Sequence, residues 1–169
     1  MMPYMPNLLS GSVVYIYADD DDGVKGVVLN KPFLPEAKVI VSGLDIELDD
    51  KQEANFKSEL YLGGSSGLSR VSVVYSAESD DEVKFSSAKK TVRSCLLESY
   101  HLDHLFLIGE SSWQPGDIYH EISNGWWHVV PTSSDIVFGG DVEGMYSRAL
   151  QSISSSDHSV LIAPFHGRA

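Results

Sequence analysis

The 169-residue sequence has a single cysteine, few positive charges and no long apolar run. The one cysteine, Cys95, excludes an internal disulfide and fits a reducing compartment. Its apolar neighbours Val92, Leu96 and Leu97 favour a buried thiol over a reactive one. No stretch approaches the roughly 20 apolar residues of a membrane-spanning helix, and the N-terminus has neither the basic nor the apolar segment of a signal peptide. We therefore expect a cytoplasmic protein.

Basic residues are scarce, with 12 lysines and arginines against 24 aspartates and glutamates, so the formal net charge is −12. This balance opposes the approach of a phosphate backbone. The densest basic stretch, residues 84–93, follows the acidic residues 80–82, and the two together are nearly neutral. The sequence also lacks a helix-turn-helix pattern with a basic recognition face. Direct binding of nucleic acid is therefore not expected.

Apolar residues make up 43% of the chain and charged residues 21%, which is ordinary for a folded globular protein. A chain of this length can bury one core without help from a metal or a disulfide. Internal repeats and long linkers are absent from the sequence. We therefore predict a single domain over residues 1–169.

Runs of β-branched and aromatic residues predict the strands. Residues 12–17 and 24–29 flank a short acidic turn and predict an antiparallel hairpin. Residues 59–62 and 70–75 flank a glycine-rich loop and predict a second hairpin. Further strands are predicted over residues 83–85, 105–108, 126–130 and 160–162. The predicted strand over residues 105–108 is apolar enough to lie at the centre of a sheet.

Apolar residues recur at helical spacing in three segments. Residues 87–100 present one apolar face after two serines that are candidate caps. A short helix is expected to start at Pro115, because the first helical position does not need an N–H donor. Residues 142–153 form the third segment, with Asp141 as its cap. The signals between residues 35 and 50 conflict. Since strands and helices do not alternate strictly, the pattern favours an α+β fold.

Polar segments that suggest metal or phosphate sites fail the test of spacing. If the glycine in residues 19–23 were the turn glycine of a calcium loop, two ligand positions would fall on Ala18 and Leu29. His101 and His104 have no third ligand at a recognised spacing. The glycine-rich loop lacks the ending of a nucleotide P-loop, which leaves a tight turn as the simpler reading. We expect no metal site and no cofactor.

Residues 104–130 contain all three tryptophans and suggest one catalytic alternative. The nearest carboxylates are those of Glu110, Asp117 and Glu121, and a carboxylate beside indole rings can acquire a pKa suited to proton transfer. A histidine partner would come from His101, His104, His120 or His128. Such a pair would predict a hydrolase or a transferase. The other interpretation of these carboxylates is helix capping and surface solvation.

Several short motifs occur in an order that spans most of the chain: Met5-Pro6, residues 12–15, 26–32, 61–64 and 108–109, Trp113, Pro115-Gly116, Ile118 and Glu121-Ile122. In these the sequence resembles the AlgH/YqgE family, bacterial proteins without an established biochemical function that are often labelled transcriptional regulators. The resemblance implies a compact α+β domain with a branched or barrel-like, mostly antiparallel sheet flanked by three to four helices. It also implies a helix after Pro35.

Polar and aromatic residues gather where the predicted strands end, and binding sites are commonly built on loops that a rigid scaffold holds. We therefore predict a binding or regulatory module that engages a protein or a small molecule. Its candidate site residues are Asn30, Lys31, Gly63, Gly64, Trp113, Gly116, Asp117 and Glu121. The alternatives are the hydrolase or transferase above and a transcriptional regulator that acts indirectly through protein contacts. The chain departs from the family pattern at residues 110–112, Gln114 and Asp117, where we expect its own specificity.

Overall fold

The computed structural model describes residues 11–33, 60–77, 81–97, 102–153 and 159–163. In these ranges the strands are β1 (Val13–Asp20), β2 (Gly23–Val28), β3 (Pro32–Phe33), β4 (Leu60–Leu62), β5 (Ser66–Ala77), β6 (Lys84–Ser86), β7 (Leu102–Trp113), β8 (Trp127–Pro131) and β9 (Ser159–Ala163). The helices there are α1 (Lys89–Leu97), α2 (Asp117–Ser123), α3 (Ser134–Phe138) and α4 (Met145–Gln151). The undecided segment 35–50 lies outside the described residues.

The first predicted hairpin is confirmed, because β1 and β2 pair antiparallel around the acidic turn. Val14 pairs with Val28, and Asp20 pairs with Gly23 at the tip. On its other edge β1 pairs parallel with β9, which in turn pairs parallel with β8. The predicted strands near residues 126–130 and 160–162 are therefore also confirmed.

The strand β7 is the centre of the sheet, as its apolar run predicted. In its first half Phe106 pairs with Leu60 of β4 on one edge and with Val73 of β5 on the other. In its second half Trp113 pairs with Val24 of β2. The sheet is thus branched rather than closed, and among the described strands five pairings are antiparallel and three are parallel.

The second predicted hairpin is wrong, because β7 lies between β4 and β5. The two glycines that follow β4 run close against the backbone of β7. Gly63 donates its N–H to the Ile108 carbonyl at 2.8 Å, and a Cβ on Gly64 would lie 2.1 Å from the Glu110 carbonyl. The glycine-rich loop is therefore a close crossing of one strand by another rather than a tight hairpin turn.

Successive side chains of β1 point to opposite faces of the sheet, so they belong to different parts of the core. Val13 and Tyr15 belong to a cluster with α3 and α4, whereas Val14 belongs to a second cluster with Ile118 of α2. A third cluster packs α1 against β5 and β7, and Cys95 lies there with 1% exposure. The buried thiol is as predicted.

The helices differ from the predictions mainly at their starts. The apolar stripe of residues 142–153 does contact the core, but α4 begins only at Met145. Asp141 accepts a hydrogen bond from the Gly144 N–H at 2.7 Å and so caps the turn before the helix. The helix α3 was not predicted; Ser133 caps it through the Ile136 N–H. In the described ranges, no helix is long and apolar enough to cross a membrane.

Candidate functional site

The segment from the end of β7 to α2 makes a reverse turn instead of starting a helix at Pro115. The Gln114 carbonyl accepts a hydrogen bond from the Asp117 N–H at 3.0 Å. Gly116 has φ 89° and ψ −22°, the conformation that the third residue of a type II turn requires and that glycine adopts without strain. Pro115 holds the preceding turn position, so α2 begins at Asp117.

The other end of α2 is closed by a Schellman motif. Gly125 has φ 73° and donates its N–H to the Ile122 carbonyl at 2.9 Å. Trp126 donates its N–H to the Glu121 carbonyl at 3.0 Å. The chain then enters β8, so neighbouring tryptophans have different environments: Trp126 is 44% exposed and Trp127 is 5% exposed.

The Glu121 carboxylate joins β7, α2 and β8. Its Oε2 accepts hydrogen bonds from Nε1 of Trp113 at 3.1 Å and Nε1 of Trp127 at 2.6 Å. The two indole rings meet edge to face, with centroids 6.1 Å apart and an interplanar angle of 83°. Glu121 therefore accepts hydrogen bonds from two indole N–H groups that are largely shielded from water. This makes its role a structural one.

Tyr119 connects α2 to the β1–β2 hairpin. Its hydroxyl donates to Oδ2 of Asp19 at 2.5 Å, while its side chain is 52% exposed. At the tip Oδ1 of Asp20 accepts the Asp22 N–H at 3.0 Å. Asp117 is exposed at the start of the helix. The exposed ring of Tyr119 thus lies beside the exposed carboxylates of the hairpin tip.

Three of the predicted site residues, Asn30, Lys31 and Gly63, brace the opposite end of β2. Asn30 accepts the Val13 N–H at 2.9 Å and donates its side-chain amide to the Gly11 carbonyl at 2.8 Å. The Lys31 carbonyl accepts the Leu62 N–H at 2.8 Å. These contacts hold the ends of β1, β2 and β4 together.

The eight predicted site residues consequently fall into two groups. Trp113 pairs with Val24 at the start of β2, and Gly116, Asp117 and Glu121 follow it. Asn30 and Lys31 follow β2, and the Gly63 carbonyl accepts the N–H of Val28 at the end of that strand. The extended chain from Val24 to Asn30 spans roughly 20 Å. The two groups do not form one surface.

The backbone of Glu110 runs close to Gly64, and its side chain contacts a tyrosine. The Tyr17 hydroxyl donates to Oε2 of Glu110 at 2.5 Å, and the Tyr17 ring stacks on Phe85 with centroids 4.0 Å apart. Burial raises the pKa of Tyr17, the hydrogen bond and the negative charge of Glu110 raise it further, and Arg70 acts weakly in the opposite direction. Tyr17 is thus held as a protonated donor.

The described histidines are distributed along three elements. His104 lies in β7 with its ring centroid 4.9 Å from that of Phe106; His120 is on the exposed side of α2 and His128 is in β8, while His101 lies outside the described residues. None of the candidate carboxylates Glu110, Asp117 and Glu121 hydrogen-bonds or pairs with a histidine within the described part of the chain. In that part, no group of three potential metal-ligating side chains is assembled.

Two exposed aromatic residues, Tyr119 and Trp126, were missed by the sequence reasoning. The signal for Tyr119 was present, since Ile118 and Ile122 define the buried face of α2 and leave residue 119 outside its centre. For Trp126 the signal was the adjacent Trp127, because neighbours at the start of a strand cannot both face the same side. What the sequence did not reveal was which of the two is buried.

Comparison with known proteins gives a consistent result. A family model described as AlgH-like matches residues 1–157. A UPF0301 protein from Afipia carboxidovorans is 28% identical over 171 residues, covering 90% of this chain and 80% of that protein. A UPF0301 protein from Coxiella burnetii is 26% identical over 140 residues, covering 82% and 76%. The solution structure of the AlgH protein from Pseudomonas aeruginosa has the same fold, with a TM-score of 0.63 at 17% identity, covering 85% of this chain and 79% of that one.

Proposed function

The chain belongs to the AlgH-like family, and from that premise we propose that it is a cytoplasmic binding module that engages a partner protein. The contact would be made by the α2 surface, which we define as Asp117, Tyr119, His120 and Trp126. The observation that carries this proposal is that two large aromatic side chains, Tyr119 and Trp126, are about half exposed on a firmly held support.

Hydrogen bonds at both ends of α2 hold the support under these rings. The Schellman motif fixes the backbone of Trp126, and the hydrogen bond to Asp19 fixes Tyr119. Because the Tyr119 side chain and the Trp126 backbone are already held, less conformational entropy would be lost when a partner covers the two rings. Tryptophan and tyrosine are also enriched among residues that dominate binding energy.

The predicted site residues then take different roles in the proposal. Trp113 and Glu121 support the α2 surface from below, and Gly116 sets the turn that precedes the helix. Asp117 is the one of the eight that would itself face the partner. The residues at the other end of β2, including Asn30, would act only by holding the sheet together.

The two alternatives have less support. A hydrolase or transferase requires a carboxylate within hydrogen-bond reach of a histidine, whereas Glu110 is engaged by Tyr17 and Glu121 by two indoles. A transcriptional regulator that acts through protein contacts is compatible with the proposal, since its effect would arise from the same surface.

The test compares two pairs of substitutions with matched exposure. Tyr119→Ala with Trp126→Ala removes the proposed contacts, and Leu68→Ala with Val129→Ala removes side chains that are 52% and 51% exposed elsewhere. Each variant is expressed in its native cells, and co-purifying proteins are quantified by mass spectrometry after the variants are confirmed to melt alike. We expect specific partners to be lost with the first pair and retained with the second. Equal recovery or equal loss in both pairs would contradict the proposal.

A further inference from the structure

We infer that Asn124 is a site of spontaneous deamidation, and that the closed C-terminal end of α2 slows this reaction. Asn124 is the one asparagine of the sequence that precedes a glycine, and it is exposed. Asparagine is a thermally labile residue, most of all before glycine, which has no Cβ to hinder its nitrogen. The inference concerns the helix that carries the α2 surface but does not depend on the proposed partner.

The reaction needs water and no other reactant. The backbone nitrogen of Gly125 loses its proton and attacks Cγ of Asn124, so that a C–N bond forms and the side-chain amide leaves as ammonia. Water then opens the resulting succinimide ring at one of its two carbonyl carbons. The product is either an aspartate or an isoaspartate, whose backbone runs through the side chain and gains a methylene group. In both products a carboxylate replaces the amide.

The native backbone opposes the first step in two ways. The Gly125 N–H donates to the Ile122 carbonyl at 2.9 Å, so the attacking nitrogen is already engaged. Ring closure also requires this nitrogen to be nearly eclipsed with Cβ of Asn124 about the Cα–C bond. At the observed ψ of 0°, the nitrogen is turned away from the side chain. Attack therefore requires the end of α2 to open.

The fold itself requires the glycine that makes Asn124 labile. Gly125 has φ 73°, a conformation that other residues adopt only at a cost and that closes many helices. The hydrogen bonds of the same Schellman motif then protect the bond between Asn124 and Gly125. Because helix ends open more readily than a protein unfolds as a whole, the rate of deamidation should follow the opening of α2.

Conversion of Asn124 would keep this end of the helix open. A new negative charge at the C-terminus of a helix is unfavourable. The additional methylene group of isoaspartate also moves the N–H groups of Gly125 and Trp126 away from the Ile122 and Glu121 carbonyls that accept them. The backbone of Trp126 would then no longer be held. We therefore expect deamidation to release the end of α2 irreversibly.

Asn30 provides an internal control in the same chain. Its side-chain oxygen accepts the Val13 N–H, and its amide donates to the Gly11 carbonyl, so the group that would leave is held in place. The residue that follows it, Lys31, also carries a side chain. We expect Asn30 to stay intact while Asn124 is converted.

The experiment incubates the purified protein at physiological temperature and mildly alkaline pH, either native or unfolded in urea, and follows both asparagines by mass spectrometry of peptides. Deamidation is recognised by the mass change from amide to carboxylate, which isomerisation of the Asp22-Gly23 pair does not produce. The test variant, Ile118→Ala, weakens the packing of α2. The control variant, Ile136→Ala, weakens the packing of α3 on the other face of the sheet. The two isoleucines are 3% and 7% exposed.

We expect Asn124 to be converted at least about tenfold faster in urea than in the native protein, because attack requires local opening. This comparison tests the inference without any substitution. Ile118→Ala should accelerate the native reaction about tenfold and Ile136→Ala less than about twofold, since a truncated core residue destabilises most the unit that it packs against. After conversion, amide hydrogen exchange at Trp126 should be faster.

Equal rates of Asn124 conversion in the native and the unfolded protein would overturn the inference. So would conversion of Asn30 before Asn124 in the native protein, or equal acceleration by Ile118→Ala and Ile136→Ala in variants that are folded at the temperature of incubation.

Discussion

Nε1 of Trp127 lies 2.6 Å from Oε2 of Glu121. The same oxygen accepts the indole N–H of Trp113, so one carboxylate holds together the end of β7, the helix α2 and the start of β8. Trp127 is only 5% exposed at this contact, whereas the preceding residue, Trp126, is 44% exposed.

Glu121→Ala should lower the free energy of unfolding by roughly 2 to 4 kcal/mol, because two indole donors that are largely withdrawn from water lose their acceptor. Urea denaturation followed by tryptophan fluorescence measures this change. Glu121→Gln is the matched control, since its amide oxygen can still accept, and we expect it to lose less stability than the alanine variant. A Glu121→Ala protein that unfolds like the parent would show that the contact contributes nothing.

The adjacent tryptophans should respond differently to truncation. Trp127→Ala removes a ring that is 5% exposed and should cost about 3 to 5 kcal/mol of stability. Trp126→Ala removes a ring that is 44% exposed and should cost under about 1 kcal/mol. Thermal melting by circular dichroism compares them directly. Similar losses for the two variants would mean that Trp126 belongs to the core.

The crossing at Gly64 should be intolerant of any side chain. A Cβ there would lie 2.1 Å from the Glu110 carbonyl, so Gly64→Ala must displace the backbone of β7 and should cost more than about 2 kcal/mol. Gly125→Ala is the control, because it has open space around its Cβ position and suffers only from a positive φ, at about 1 kcal/mol. The midpoints of denaturant unfolding show which of the two variants loses more stability. A smaller loss for Gly64→Ala than for Gly125→Ala would contradict the close approach.

Tyr17 should make the free energy of unfolding depend on pH in the alkaline range. Burial and the contact with Glu110 raise the pKa of Tyr17 above its ordinary value of about 10. The unfolded chain therefore releases this proton first as pH rises, and the stabilising contribution is complete below about pH 10 and declines above it. The stability difference between the parent and Tyr17→Phe, measured by urea unfolding, should be constant up to about pH 10 and shrink beyond it. A difference that grows with pH would contradict the direction of the shift.

Local patterns in the sequence were sufficient for the elements whose partners are close along the chain. The β1–β2 hairpin follows from two apolar runs around an acidic turn, and the apolar run 105–108 marked β7 as central. The second hairpin failed because pairing between distant segments is not encoded in either segment alone. Gly63 and Gly64 predicted a turn, but whether glycine serves a turn or a close backbone crossing depends on Ile108 and Glu110 of a strand far along the chain.

Only part of the candidate site could be predicted from the sequence, for the same reason. Pro115 predicted the start of the short helix, but proline followed by glycine suits a type II turn as well as a helix start. Glu121 was selected for its proximity to tryptophans, yet its role as a shared acceptor required the distance between Trp113 and Trp127. The exposed member of the Trp126-Trp127 pair depends on the Schellman motif, which fixes where β8 begins.

The most direct test of the α2 surface as a binding site places a photo-crosslinking amino acid at position 119 in living cells. The same amino acid at position 68, which is equally exposed, is the control. Crosslinked products are separated by electrophoresis and identified by mass spectrometry. We expect a defined crosslinked partner from position 119 that position 68 does not capture. No product at position 119, or the same products from both positions, would contradict the claim that the α2 surface is the binding site.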